Sequence, residues 1–229
     1  MTDVRGHRPL RLCGVLVALL FMASFVWPGV AIHYALLLGL FAIPVAALRR
    51  GGDPGGVFAD VGATFFGATY IGVLFGYLLA LRVLHDLPKG DETGSDLVFL
   101  LFFVVWSSDT AAYYVGTTLG RHPLAPRISP RKTVEGAIGG LAGALLAAFV
   151  ARAWFIGRLR PQDCLILGAA LGTIGIVGDL VESMFKRGAG VKDSARLVPG
   201  HGGILDRVDS LLYAGPVLYY YYLFAMRGP

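Results

Sequence analysis

Charge is scarce in this chain. Lysine and arginine number 20 and aspartate and glutamate 15 in 229 residues, so 15% are charged, against about 25% in an average soluble domain. With 55% of residues hydrophobic in long apolar runs, a soluble domain is excluded and lipid is the expected cover for much of the surface. Cysteine is scarcer still. Cys13 and Cys164 both lie in apolar runs without a close-spaced partner, which leaves no metal knuckle or redox pair and makes them small core residues. No GxxxxGK[ST] occurs and no GxGxxG follows a strand-like run, so the soluble nucleotide-binding folds are unsupported. Low-complexity segments and internal repeats are absent as well.

The net charge of +5 does not point to nucleic acid, because the basic residues sit in short connections between apolar runs and form no stripe. Arg5, Arg8 and Arg11 precede the apolar stretch Leu12 to Trp27 in the manner of a secretory signal. No small-x-small cleavage site follows, however, and the stretch reads as a first transmembrane helix.

At about 20 apolar residues per span, helices are expected near 10–28, 30–48, 57–84, 96–119, 133–156, 163–186 and 209–226. The fold class is all-α, a polytopic transmembrane bundle of seven helices. An eighth arises if the long run 57–84, with Asp60 and several glycines, is split instead of tilted or broken. Residues 1–229 are expected to form one integral membrane domain, with N-terminal helices in 1–90 and a catalytic half in 96–229. Under seven helices, Arg121, Arg127, Arg131, Lys132, Lys186, Arg187, Lys192, Arg196 and Arg207 share a side with the N-terminus. The positive-inside rule makes that side cytosolic and the protein a multi-pass protein of the cytoplasmic, or inner, membrane. Gly136, Gly139, Gly140 and Gly143, and again Gly168, Gly172, Gly175 and Gly178, recur at small-residue spacing. They predict close helix packing and would permit a homodimer.

Chemistry gathers where charge does not behave like loop decoration. Asp179, Glu182, Ser183 and Lys186 stand at i, i+3, i+4 and i+7, so a continuing helix presents them on one face. Lys192, Asp193 and Arg196 follow. Next comes Pro199-Gly200-His201-Gly202-Gly203, where three glycines in four residues permit a backbone turn that can aim amides at an anion. Asp206 and Asp209, one turn apart, flank Arg207 at the mouth of a helix, where the dipole favours carboxylates. Carboxylates interleaved with lysine and arginine suit a magnesium nucleotide: oxygens hold the metal and cations neutralise the phosphates.

A second cluster runs from Asp109 to Tyr114, followed by Ser129-Pro130-Arg131-Lys132-Thr133-Val134-Glu135-Gly136. Asp109 falls in mid-span, where an acid requires a partner or a wet cavity. Tyr113, one turn on, is placed to share its hydrogen-bonding surface. Lys132 and Glu135 open the next helix, and the two clusters are expected to meet across the bundle.

These residues resemble the phosphatidate cytidylyltransferases, or CDP-diacylglycerol synthases. The family's signature is present without a departure as Ser183, Lys186, Arg187, Lys192, Asp193, Pro199, Gly200, His201, Gly202, Gly203, Asp206, Arg207 and Asp209, thirteen positions over 27 residues. Val134 stands where many members have tryptophan, and the first 90 residues match only in hydropathy.

The resemblance implies an enzyme that uses CTP and phosphatidate, with membrane lipid as its surroundings and no nucleic-acid partner. It implies Mg²⁺, with room for a second cation, held by Asp179 and Asp206 foremost and Asp209 beside them. Lys186, Arg187, Lys192 and Arg207 would contact CTP or the lipid head group, and Asp193 and the His201 turn with Gly202 and Gly203 would shape the same pocket. Asp109, Lys132 and Ser183 join the binding set. His201 is expected to donate a hydrogen bond and not to serve as a base, because the phosphatidate phosphate is already an anionic nucleophile. The alternatives are a CTP-dependent kinase of polyprenol type, an ether-lipid cytidylyltransferase, and a non-catalytic binder of anionic head groups. Against the last, such a surface has no use for so many carboxylates.

Overall fold

The computed structural model describes residues 10–51, 54–85, 87–88, 90–191, 203 and 205–227. Chain contacts divide it into two compact units, residues 1–83 and 84–229.

The first unit holds α1 (Arg11–Val26), α2 (Ile32–Arg50) and α3 (Pro54–Val83). Its core joins Val17 and Phe21 of α1 to Ala35 and Ile43 of α2 and Ala68 of α3. The long run 57–84, read as one of seven spans with a break or split as alternatives, is a single 30-residue helix. Its glycines serve packing: a Cβ on Gly72 would meet the Ala18 carbonyl oxygen at 2.8 Å. Asp60, 7% exposed, is neutralised by Arg50 at the end of α2, with Nη2 2.6 Å from Oδ2. A buried carboxylate in a spanning helix thus has the partner it requires.

The second unit contains α4 (Thr93–Leu119), a two-stranded antiparallel hairpin of β1 (Pro123–Ala125) and β2 (Ser129–Thr133), α5 (Val134–Trp154), α6 (Pro161–Gly188) and α7 (Leu205–Tyr221). A π-helical turn, Tyr222–Met226, continues α7. The hairpin is an addition to the all-α expectation, which read residues 120–132 as a loop; its register pairs Pro123 with Thr133 and Ala125 with Ser129. Helix α7 also starts four residues before the expected 209.

Leu97, Leu100, Leu101 and Val104 of α4, Ala144 and Ala148 of α5, Leu167 and Leu171 of α6, and Leu211 and Leu212 of α7 are fully buried. The expected small-residue stripe brings α4 and α5 together: a Cβ on Gly140 would stand 3.0 Å from Ala112 Cβ and 3.1 Å from the Ser108 carbonyl oxygen. Gly168 and Gly172 of α6 receive Leu145 and Ala144 of α5 in the same way. Both stripes are therefore used within the chain.

Polar contacts fix the ends of these helices. Asp91 accepts hydrogen bonds from the Thr93 hydroxyl and amide, which hold its carboxyl below the usual range and open α4. Arg158 ties the α5–α6 connection to Asp96, at 2.8 Å, and to Thr93. Asp163, 2% exposed, accepts from Arg160 and, at 2.7 Å, from the Tyr221 hydroxyl, joining the start of α6 to the end of α7.

Among the described residues, five helices are long and apolar enough to cross a membrane: Ile32–Arg50, Gly55–Val83, Thr93–Leu119, Val134–Trp154 and Pro161–Gly188; α1 is shorter. The chain is a helical, multi-pass membrane protein.

Candidate active site

The end of α6 and the start of α7 carry the expected charges, and the helix geometry brings them together. Because α6 continues to Gly188, Asp179, Glu182, Ser183 and Lys186 do share a face. Ser183 Oγ donates to Asp179 Oδ1 over 3.4 Å. Lys186 reaches Glu182 one turn back, 2.5 Å from Oε2, and Asp206 of α7, 2.8 Å from Oδ1. Asp206 also accepts from the Gly203 amide at 2.7 Å.

The second cluster meets the first across the bundle, as expected. Lys132 of β2 forms an ion pair with Asp179. Asp109 lies within electrostatic range of Asp179, Asp209 and Lys132 and adjoins the buried Ser210 hydroxyl. Asp209 accepts a hydrogen bond from the Ser210 amide at 2.7 Å. Tyr113 does not share this surface: it is 66% exposed, packs edge-on against Tyr114, and makes no hydrogen bond to Asp109 among the described residues.

Asp179, Glu182 and Asp209 each offer a carboxylate oxygen within 4.8 Å of the others. At that separation two carboxylates repel by about 3–4 kcal/mol for an effective dielectric of about 20. Glu182 bears most of the penalty of burial. It is 2% exposed, and neither of its oxygens accepts a well-aligned hydrogen bond among the described residues despite the nearby Lys186 ammonium. Buried carboxylate oxygens are ordinarily bonded, paired or bound to metal. The donor set, three hard oxygens within 4.8 Å of one another, fits a hard divalent cation.

The metal set read from sequence was Asp179, Asp206 and Asp209. In the structure Asp206 is the partner of Lys186, while Glu182 stands with the other two. Glu182 had been placed on the α6 face by its spacing but not counted as a ligand. Its depth follows from α7 packing over α6, which spacing along one helix does not report.

Among the cationic candidates, Arg187 is exposed and donates from Nε to the Ile128 carbonyl oxygen, 3.3 Å, at the turn of the hairpin. Arg207 is exposed on the first turn of α7. Lys192, Asp193, His201 and Gly202 lie outside the described residues.

A model of the cytidylyltransferase family matches residues 3–225, nearly the whole chain. The chain belongs to the cytidylyltransferase family. Three relatives are similar to it. It is 45% identical over 153 residues to the phosphatidate cytidylyltransferase of Haemophilus influenzae, covering 65% of this chain and 53% of that protein. With the phosphatidate cytidylyltransferase of Bacillus subtilis it shares 42% over 163 residues, 71% of this chain and 58% of the relative. YnbB of Escherichia coli strain K12 is 35% identical over 219 residues, 90% of this chain and 72% of that one. The chain thus spans a little over half the length of the two phosphatidate cytidylyltransferases.

Proposed function

We propose that this protein is a CTP:phosphatidate cytidylyltransferase that makes CDP-diacylglycerol and pyrophosphate. The observation that carries this reading is the carboxylate triad Asp179, Glu182 and Asp209, flanked by Lys132 and Lys186, in a chain of the cytidylyltransferase family. Binding of anionic head groups alone gives no reason to crowd a buried Glu182 carboxylate within 4.8 Å of Asp179 and Asp209.

In the proposed reaction an oxygen of the phosphatidate phosphate attacks the α-phosphorus of CTP. A new P–O bond forms as the bond to the β-phosphate oxygen breaks, and pyrophosphate leaves on the opposite side. Phosphatidate is already anionic, so no side chain has to remove a proton. The work of the chain is alignment and charge neutralisation. Asp179, Glu182 and Asp209 would hold Mg²⁺, which when bound gathers phosphate oxygens and offsets their charge. Lys132 and Lys186 supply fixed positive charge on either side of the triad and, by pairing with Asp179, Glu182 and Asp206, keep those carboxylates oriented. Arg207, exposed on the first turn of α7, would add positive charge beside the two phosphate-bearing substrates.

Seven helices cross the cytoplasmic membrane in this reading, α1 and α7 with the five longer ones. In this reading the site opens to the cytosol, the side on which the positive-inside rule puts Arg121, Arg127, Arg131, Arg187 and Arg207.

The test uses purified protein in detergent with CTP labelled at the α-phosphate, phosphatidate and Mg²⁺, beside the variants Asp179→Ala and Glu182→Ala. Label should enter the lipid with an equal amount of pyrophosphate, chelation should stop the reaction, and both variants should remain folded but inactive. Release of CDP with formation of a lipid monophosphate would instead identify a kinase.

A further inference from the structure

The β1–β2 hairpin is held at three places, and what it carries is Lys132. At its base, Glu135 on the first turn of α5 accepts at Oε2 from the amides of Arg121, at 3.0 Å, and His122, at 3.2 Å. Its other oxygen lies 2.5 Å from His122 Nδ1, and the Val134 amide returns a hydrogen bond to the His122 carbonyl oxygen. Beside this clasp, Thr133 caps α5 by accepting from the Gly136 amide, and its side chain fills the space at Gly120 where α4 ends. At its tip, the turn closed by Ile128 amide to Ala125 oxygen is anchored to α6 by Arg187.

Three residues of an edge strand cannot fix themselves in water; a lone two-stranded hairpin is marginal. The arm takes its position from these contacts with α4, α5 and α6. Lys132, between the two anchors, pairs with Asp179. Loosening either anchor leaves the Lys132 backbone with no fixed distance to the triad.

We propose that Glu135 and Arg187 are positioning residues that hold the hairpin so that Lys132 stays on Asp179. The catalytic consequence rests on the cytidylyltransferase reading given above; the positioning itself does not. Arg187 then acts on the reaction through the arm, from its guanidinium to the Ile128 carbonyl.

The first experiment needs no turnover. The full-length protein in detergent is treated with an amine-acetylating reagent, and the rate at Lys132 is read by peptide mass spectrometry in the parent, Glu135→Ala, Glu135→Gln and Arg187→Met. Lys132 should react severalfold faster in Glu135→Ala and Arg187→Met. It should return toward the parent rate in Glu135→Gln, which keeps an acceptor for the two amides. Parental rates in both loosened variants overturn the proposal. Should Glu135→Ala not accumulate, Arg187→Met, a change on an exposed helix end, decides it.

CDP-lipid formation is then measured in the same variants with and without Lys132→Met. Each anchor change should lower turnover on the order of tenfold, the cost of losing a supporting partner, and should have little further effect once Lys132 is gone. Fully additive losses would mean that the anchors act elsewhere, and the proposal fails. A parent that makes no CDP-lipid at all removes the proposed reaction, while the acetylation rates still decide the arm.

Discussion

The carbonyl oxygen of Asp209 stands 3.0 Å from the point that a Cβ on Gly178 would occupy, with the Tyr213 ring equally close. The two helices that carry the carboxylate triad can cross there only because α6 lacks a side chain at that turn. Gly178→Ala should therefore press α7 away from α6. Overpacking of this kind costs about 1–3 kcal/mol, so thermal unfolding in detergent should show a modest loss. Turnover should fall by more than stability does, since Asp209 is displaced from Asp179. A variant as active as the parent would mean that the crossing tolerates the methyl group.

Glu182→Gln keeps the shape of the side chain and removes its charge. If the triad holds the metal, the Mg²⁺ concentration for half-maximal turnover should rise by at least the roughly tenfold that loss of even an outer partner costs a metal site. Thermal stability should change little, because losing the pair with Lys186 is offset by removing a buried charge that repels Asp179 and Asp209. An unmoved Mg²⁺ midpoint would take Glu182 out of the metal set.

Lys186 joins α6 to α7 by pairing with Glu182 and Asp206, whose side chains are 3% and 14% exposed. Lys186→Met leaves both acids without this partner and should cost about 3–5 kcal/mol, the range for breaking a buried ion pair. Adding Glu182→Gln should recover part of that loss. The comparison is made by thermal unfolding, and full additivity of the two changes would count against a shared network.

Away from the site, Tyr221→Phe deletes the hydroxyl that donates to Asp163 at 2.7 Å. Hydrogen bonds to charged groups are worth about 1.5–3 kcal/mol, and Arg160 remains to hold the carboxylate. The melting temperature should drop while turnover at a permissive temperature stays near the parent value. A drop in turnover without a change in melting would show that the distant end of the bundle reaches the site.

Much of this site could be read along the chain because helices repeat. The i, i+3, i+4, i+7 spacing of Asp179, Glu182, Ser183 and Lys186 survives folding unchanged, and mid-span Asp109 was bound to have polar company. What the spacing could not supply was which acid meets which base across helices. Asp206 and Asp209 look equivalent on one turn of α7, yet one faces Lys186 and the other the triad, a difference set by the rotation of α7 against α6. The hairpin escaped notice for another reason: strands of three and five residues, rich in proline and arginine, carry no alternating pattern. In α3 the glycines suggested a break, but Gly72 and Gly76 are packing sites against α1, and the helix runs through them.

The triad and its flanking lysines come from β2, α6 and α7, with Asp109 of α4 beside them. Synthesis delivers these in order: the acid of α4, then Lys132, then Asp179 and Glu182, and Asp209 only when α7 is made. A ribosome-bound chain that has released α6 into the bilayer therefore carries Glu182 and Lys186 as a local pair, with neither Asp206 nor Asp209 opposite them. The proposed site is therefore incomplete until α7 is made, and it forms at the same moment as the final packing of the bundle.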